Sequence, residues 1–389
     1  MTTIMDPTTL PGMPAPFWFV QFFKVVGFTL HMIPMGLWFA GLPVAIGCAL
    51  WNCKHSSRYA RRMFGQFPVV MALGINFGIV PLLFLQTTYY KSFYTATILM
   101  GWHWLAVIPI LIVGYYALYL AAGTRLNLSP HLAVYSRRPA RKILFGVIAS
   151  LSLIAIGLLI TNGLTLMVRS DLWPGIMERT GVYGATTGLA NNMRDPAVWI
   201  RFATMFALGL MTTGVWAAFD SHFLLRDNDE SNEYRRWTVN LATLVTITGF
   251  LVLFTTAILI KNGIGGNAIE IAYPEIIFGG VVASGLLTIF LLLMVRLTNN
   301  TTFLITAATI VQICILATFA IMRQIGQNTG VASYVDVTKI PTAVQWSPLI
   351  AFLVCFVLGL LVIAWMVRQC VMCSVGDDST ATTGHSSPN

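Results

Sequence analysis

The sequence predicts an all-α protein, a polytopic membrane helix bundle of about nine transmembrane helices with its N-terminus outside and its C-terminus in the cytoplasm. Three observations carry that expectation. Charged residues make up only 10% of the 389 residues, apolar residues 57%, and the mean hydropathy is +0.76, whereas a soluble domain carries about 25% charge. The apolar residues are gathered into blocks of roughly 20 or more, the length a helix needs to cross a bilayer. Lys and Arg are divided unevenly between alternate gaps.

Nine blocks run at 17–51, 64–88, 95–122, 143–167, 197–224, 237–260, 274–296, 303–325 and 347–369. They are too long for outer-membrane strands, which show alternation over about 10 residues. The first is too long and begins too late for a cleaved signal peptide, and Met1–Pro16 has no basic n-region, so it is expected to remain. The gaps after blocks one, three, five and seven, with the tail from Arg368, hold fourteen Lys and Arg, and the opposite gaps hold seven. This places the basic gaps in the cytoplasm and assigns most of the +9 net charge to topology, leaving no nucleic-acid surface. The expected organisation is a short outer segment at 1–16, a membrane domain at 17–370 and a disordered cytoplasmic tail at 371–389, rich in Asp, Ser, Thr and Gly. Two longer outer segments, Val168–Pro196 and Gly326–Ser347, carry turn signals such as Trp173-Pro174-Gly175.

Much familiar chemistry is missing. No CxxCH, Walker motif, GxGxxG or HExxH occurs, so c-type haem attachment and nucleotide-driven pumping are not expected. Cys370 and Cys373 form a lone CxxC, for which reduced thiols or a lipid anchor suffice.

Polar groups within the blocks are therefore the candidates. Of six histidines, only His31 and His103 fall within hydrocarbon; His55, His131 and His385 lie in gaps or tail, and His222 at a helix exit. Each of the two lies roughly 10–20 Å below the outer surface at 1.5 Å per residue. A neutral imidazole there needs a strong partner, which haem iron or a backbone carbonyl can each supply. The tryptophans flanking His103 also suit an interfacial belt, and Pro34 frees a carbonyl near His31. Lys24 is expected to snorkel to the outer interface. Arg201 opens the fifth block and Arg323 closes the eighth, where they anchor the helices or bind an anionic propionate or headgroup. Asn76, Gln86, Asn162 and Gln312 read as buried amides making interhelical hydrogen bonds.

At these positions the chain resembles subunit I of cytochrome bd-type quinol oxidases. Gln21 precedes His31 by ten residues, and Ile33-Pro34-Met35-Gly36-Leu37 is similar to the family's first helix, whose histidine ligates an active-site haem. Gly74-Ile75-Asn76-Phe77-Gly78 resembles its GINF segment, Thr161-Asn162-Gly163 its alanine–asparagine–glycine segment, and Arg323-Gln324 part of its GRQPW motif. The departures matter equally. Thr204 stands where the family's low-spin haem histidine is expected, Ile276–Leu293 lacks the partner methionine, and the last and third helices lack the family's carboxylates. The quinol loop is reduced to Lys261–Pro274.

The resemblance implies an integral subunit of a bd-like respiratory electron-transfer complex in the inner membrane of a prokaryote, an oxidoreductase subunit if the complex is an enzyme. It would hold at most one or two b-type haems, with His31 and His103 as iron ligands and Arg201 and Arg323 also touching the cofactor. Expected partners are the lipid bilayer, other membrane subunits including a second bd-like one, and a c-type cytochrome on the outer face. Two alternatives stay open: a haem-free bd-like scaffold and a secondary transporter. The transporter would show inverted repeats, into which nine spans do not divide evenly.

Overall fold

The computed structural model describes residues 12–51, 53–123, 139–225, 231–264, 275–298 and 300–381, with side chains through Trp365 except at 139 and 231. Among the described residues, nine helices are long and apolar enough to cross a membrane: Phe17–Trp51, Lys54–Thr88, Gly101–Ala122, Ala140–Val168, Pro196–Leu224, Asn232–Lys261, Glu275–Met294, Thr301–Ala332 and Trp346–Trp365. Each contains one of the nine sequence blocks or most of it. Hydropathy registers length reliably because every backbone group in lipid must be bonded within its own helix.

The first span is built from α1 (Phe17–Gly36), a π-helical turn at Leu37–Gly41 and α2 (Leu42–Trp51). The π turn begins just after Pro34, and all five of its residues are buried. Then come α3 (Lys54–Thr88), a short α4 (Tyr90–Leu99), α5 (Gly101–Ala122) and α6 (Pro139–Val168). The connection that follows holds α7 (Trp173–Thr180) and a two-stranded hairpin of β1 (Gly181–Val182) and β2 (Ala185–Thr186). The remaining helices are α8 (Pro196–Phe219), α9 (Ser231–Lys261), α10 (Glu275–Met294), α11 (Thr301–Ala332) and α12 (Trp346–Ala381).

Among the described residues two compact units are distinguished: one within Val20–Lys339, and one formed by residues 12–19 together with 340–381. In the larger unit the most enclosed helix is α8, packed on α9, α6, α11 and the π turn. Small residues permit that. A Cβ on Gly36 would stand 3.1 Å from the Cα of Gly209, and one on Gly209 would stand 3.1 Å from the Cβ of Ala40. Close backbone approach of this kind is how helices associate where lipid removes the hydrophobic drive. The far side of α5 shows the converse, with Ile108, Ile112, Val113 and Tyr116 exposed as a lipid-facing surface requires.

In the smaller unit, Met13 pairs in parallel with Thr342, its N–H donating to Pro341 O at 2.8 Å. Phe19 meets Phe352 edge-on at 6.3 Å.

Three expectations about boundaries are corrected. The last helix runs on to Ala381, past the expected end of the membrane domain at 370. Arg323 does not close its helix, since α11 runs nine residues past it to Ala332, which shortens the second outer segment. Arg201 sits a full turn inside α8, whose first turn is set by the Asp195 cap and Pro196. His131, His385, most of the shortened loop at 261–274, the side chains of Cys370 and Cys373, and positions 382–389 lie outside the described residues.

Candidate functional site

His31 of α1 packs against α3 and the π turn of its own span. Its Nδ1 lies 2.7 Å from the carbonyl oxygen of Gly74 on α3. A carbonyl only accepts, so Nδ1 carries the proton and Nε2 keeps its lone pair. The Gly74–Gly78 segment explains itself here. The indole of Trp38, from the buried π turn, lies where a Cβ on Gly74 would be, and a Cβ on Gly78 would come within 2.9 Å of the His31 ring. Phe28 and Trp38 complete the surround, with ring centroids 6.3 and 6.1 Å from the imidazole.

Arg323 joins His31 to two other cations. Its guanidinium lies over the Phe28 ring, 4.2 Å from the centroid, and it is within electrostatic reach of His31, Lys24 and Arg201. Arg201 Nη1 donates to Thr165 Oγ1 at 3.4 Å, bringing in α6. Three of the four residues singled out in the sequence, His31, Arg201 and Arg323, therefore belong to one group.

Lys24 is the residue that sequence reasoning misplaced. It does not snorkel. Its side chain is 1% exposed, its Nζ donates to Gln327 Oε1 at 3.0 Å, and it sits 3.9 Å from the centroid of the Tyr89 ring. Tyr89 in turn accepts from Gln21 Nε2 (3.2 Å) and Gln324 Nε2 (2.8 Å), and its hydroxyl donates to Asn328 Oδ1. Gln21 and Gln324 stood in the sequence motifs. What the sequence did not show is that a tyrosine at the end of α3 would tie them together.

His103 lies apart from that group. Its helix, α5, packs chiefly on α6 and α3, and its Nδ1 is buried without a partner. Trp102 beside it is 65% exposed, while Trp104 meets Phe93 edge-on at 5.6 Å and lies against Gly163. The flanking tryptophans thus split between a belt position and packing.

The other polar expectations divide. Gln312 Nε2 bonds Thr212 Oγ1 across helices at 3.0 Å. Asn162 is buried and its Oδ1 accepts from the Asn192 N–H at 3.0 Å, fastening α6 to the following connection. Asn76 is exposed and returns its amide to Ala72 O of its own helix at 2.8 Å. Thr204 is buried with its hydroxyl on Ile200 O. Outside the spans, Arg169 bridges Asp171 and Asp195 at 3.0 Å each, and its guanidinium holds the Asp171 carboxyl below the usual range.

Among the described residues no three His, Cys, Asp or Glu side chains converge. A metal at His31 would have to arrive with its own ligand set, as iron in a porphyrin does. The residues fit such a group: one imidazole with a free Nε2 fixed by a carbonyl on its other nitrogen, and nearby cations suited to carboxylates.

Comparison of the sequence with protein-family models and with curated proteins gives no match. Among solved structures, a chain of the bd oxidase from Geobacillus thermodenitrificans is similar, with a TM-score of 0.60 over 91% of this chain and 97% of that one, at 14% identity. The two chains share a fold. At that identity the likeness extends to architecture alone.

Proposed function

We propose that this chain is an integral membrane subunit of a bd-like electron-transfer complex, holding a b-type haem on His31. The observation that carries the reading is the His31 Nδ1–H···O=C Gly74 bond at 2.7 Å. It selects the tautomer and ring orientation that present Nε2 to iron and raises the ring's basicity. When bound, haem supplies one-electron chemistry. The chain's own residues do the rest. Gly74 and Gly78 let the imidazole lie flush on α3, Phe28 and Trp38 pack around it, and Arg201 and Arg323 would hold the carboxylates of a bound haem. His103, with an unpartnered ring nitrogen, is the second proposed iron ligand. The donor is a c-type cytochrome or another membrane subunit docking beside the connection pinned by Arg169, on what we take to be the outer face.

A haem-free scaffold is the competing reading, and the same bond favours it, because a carbonyl already satisfies one side of the imidazole. A reduced-minus-oxidised visible spectrum with haem extraction, made on the purified chain and its bound partners, separates the two. A b-type signal present in the native protein and lost in His31→Ala, with the protein still in the membrane, is the expected result. Absorbance unchanged in that variant sinks the ligand assignment, and a native protein without haem leaves the scaffold.

A further inference from the structure

Lys24 and Arg323 present an arrangement that side chains alone do not balance. Both lie in the interior of spanning helices, and among the described residues neither has a carboxylate partner. The group around them is otherwise neutral: Gln21, Tyr89, Gln324, Gln327 and Asn328. Its acceptors are nearly all engaged. Tyr89 Oη receives two amides and gives its proton to Asn328, whose Oδ1 also takes Gln324 Nε2 at 2.9 Å. Gln327 spends its carbonyl on Lys24, which fixes its amide orientation and leaves Nε2 buried with no partner. Gln21 Oε1 is buried without a partner, and it bears no charge. The cation Arg323 bears on Lys24 and the cation Arg201 on Arg323, with the Tyr89 phenol also acting on Arg323. Buried like charges held apart from water are costly, because desolvation and mutual repulsion act in the same direction, and an anion between them offsets both.

We infer that Lys24, Arg323 and the Gln327 amide form a binding site for an oxyanion, a carboxylate or a phosphate, buried within the bundle. The oxyanion accepts from Lys24 Nζ, from Gln327 Nε2 and from the guanidinium of Arg323, whose face is already set by Phe28. Two sources supply that chemistry: a carboxylate of the haem on His31, which rests on the function proposed above, or the phosphate of an anionic lipid, which does not. Lys24 acts by charge and position and is no catalytic residue.

The test compares wild type, Lys24→Met, Lys24→Arg and Gln327→Leu as full-length membrane protein purified with its partners. It reads haem content, the midpoint potential of the b-type signal and co-purifying phospholipid. If haem is present, removing the Lys24 charge stabilises the oxidised iron, which carries one more positive charge, relative to the reduced iron, so the midpoint moves to lower potential in Lys24→Met or haem is lost. Lys24→Arg stays near wild type and Gln327→Leu moves less, in the same direction. Midpoint and haem content equal in Lys24→Met and wild type, or Lys24→Arg behaving as Lys24→Met does, overturns the haem-carboxylate source. If the wild type holds no haem, the function proposed above fails and the lipid arm decides. Anionic phospholipid retained by wild type and depleted in Lys24→Met supports a phosphate-binding site; equal amounts overturn the site altogether.

Discussion

At the scale of single residues, the arrangement around His31 is governed by what glycine leaves out. The ring lies against α3 because position 78 has no side chain, and the orientation of Nδ1 follows from that contact and the Gly74 carbonyl. Gly78→Ala should therefore push the imidazole off its carbonyl, since a Cβ 2.9 Å from the ring forces either ring or helix to shift. Overpacking of this kind costs about 1–3 kcal/mol. The expected outcome is a lower thermal midpoint together with weakening of the b-type absorbance assigned to His31. An absorbance retained in full, with stability reduced, would show that the ring's seat on α3 does not set its role as a ligand. Lys24 makes the same point from the opposite side. A lysine eight residues into an apolar helix reads as a snorkelling anchor, and which way it faces is decided by Tyr89 and Gln327, hundreds of positions apart in one case.

At the scale of elements, one ion pair ties two spans together at the end of the bundle away from Tyr89. Arg62 on α3 grips Asp220 with two bonds, Nε to Oδ2 at 2.9 Å and Nη2 to Oδ1 at 2.8 Å, and Gln66 adds a third at 2.6 Å. Asp220 opens the π-helical turn Asp220–Leu224 that ends the α8 span, and its side chain is only 2% exposed. Arg62→Ala leaves that carboxylate with Gln66 alone and should destabilise the protein by about 1–3 kcal/mol, the cost of a buried polar group short of a partner. The loss falls below the full buried-pair penalty because the Arg62 side chain is 25% exposed. Replacing both partners with apolar residues of similar volume should recover most of it. Thermal unfolding in detergent for the two variants checks this; equal losses would mean that the pair contributes little and the packing around it a great deal. Arg62 was legible in the sequence only as one of the topogenic cations, because its partner lies 158 positions away.

For the whole molecule, the orientation expected from the Lys and Arg asymmetry can be tested at Cys53. That residue is exposed, stands just before α3, and has its thiol held below the usual range by the Ser56 hydroxyl 3.1 Å from its sulfur. In a variant that keeps Cys53 as its one cysteine, a membrane-impermeant maleimide should label inverted membrane vesicles and leave intact cells unlabelled. Labelling of intact cells would reverse the topology and put the basic gaps outside. The outcome also fixes which face the connection pinned by Arg169 offers to a partner.

The spans, their number and their approximate ends were determined by the sequence itself, because in lipid each helix must satisfy its own backbone and so declares its length in apolar residues. The motif residues His31, Gly74, Gly78 and Arg323 were visible there as well. Facing was not. A helix apolar all round has no stripe to show which side meets protein and which meets lipid, so Asn76 turned out exposed, Lys24 buried and Arg323 interior to its helix. Only the tertiary structure, by rotating each helix against its neighbours through glycine contacts and interhelical hydrogen bonds, brought His31, Lys24, Arg201 and Arg323 into one charged group and left His103 apart.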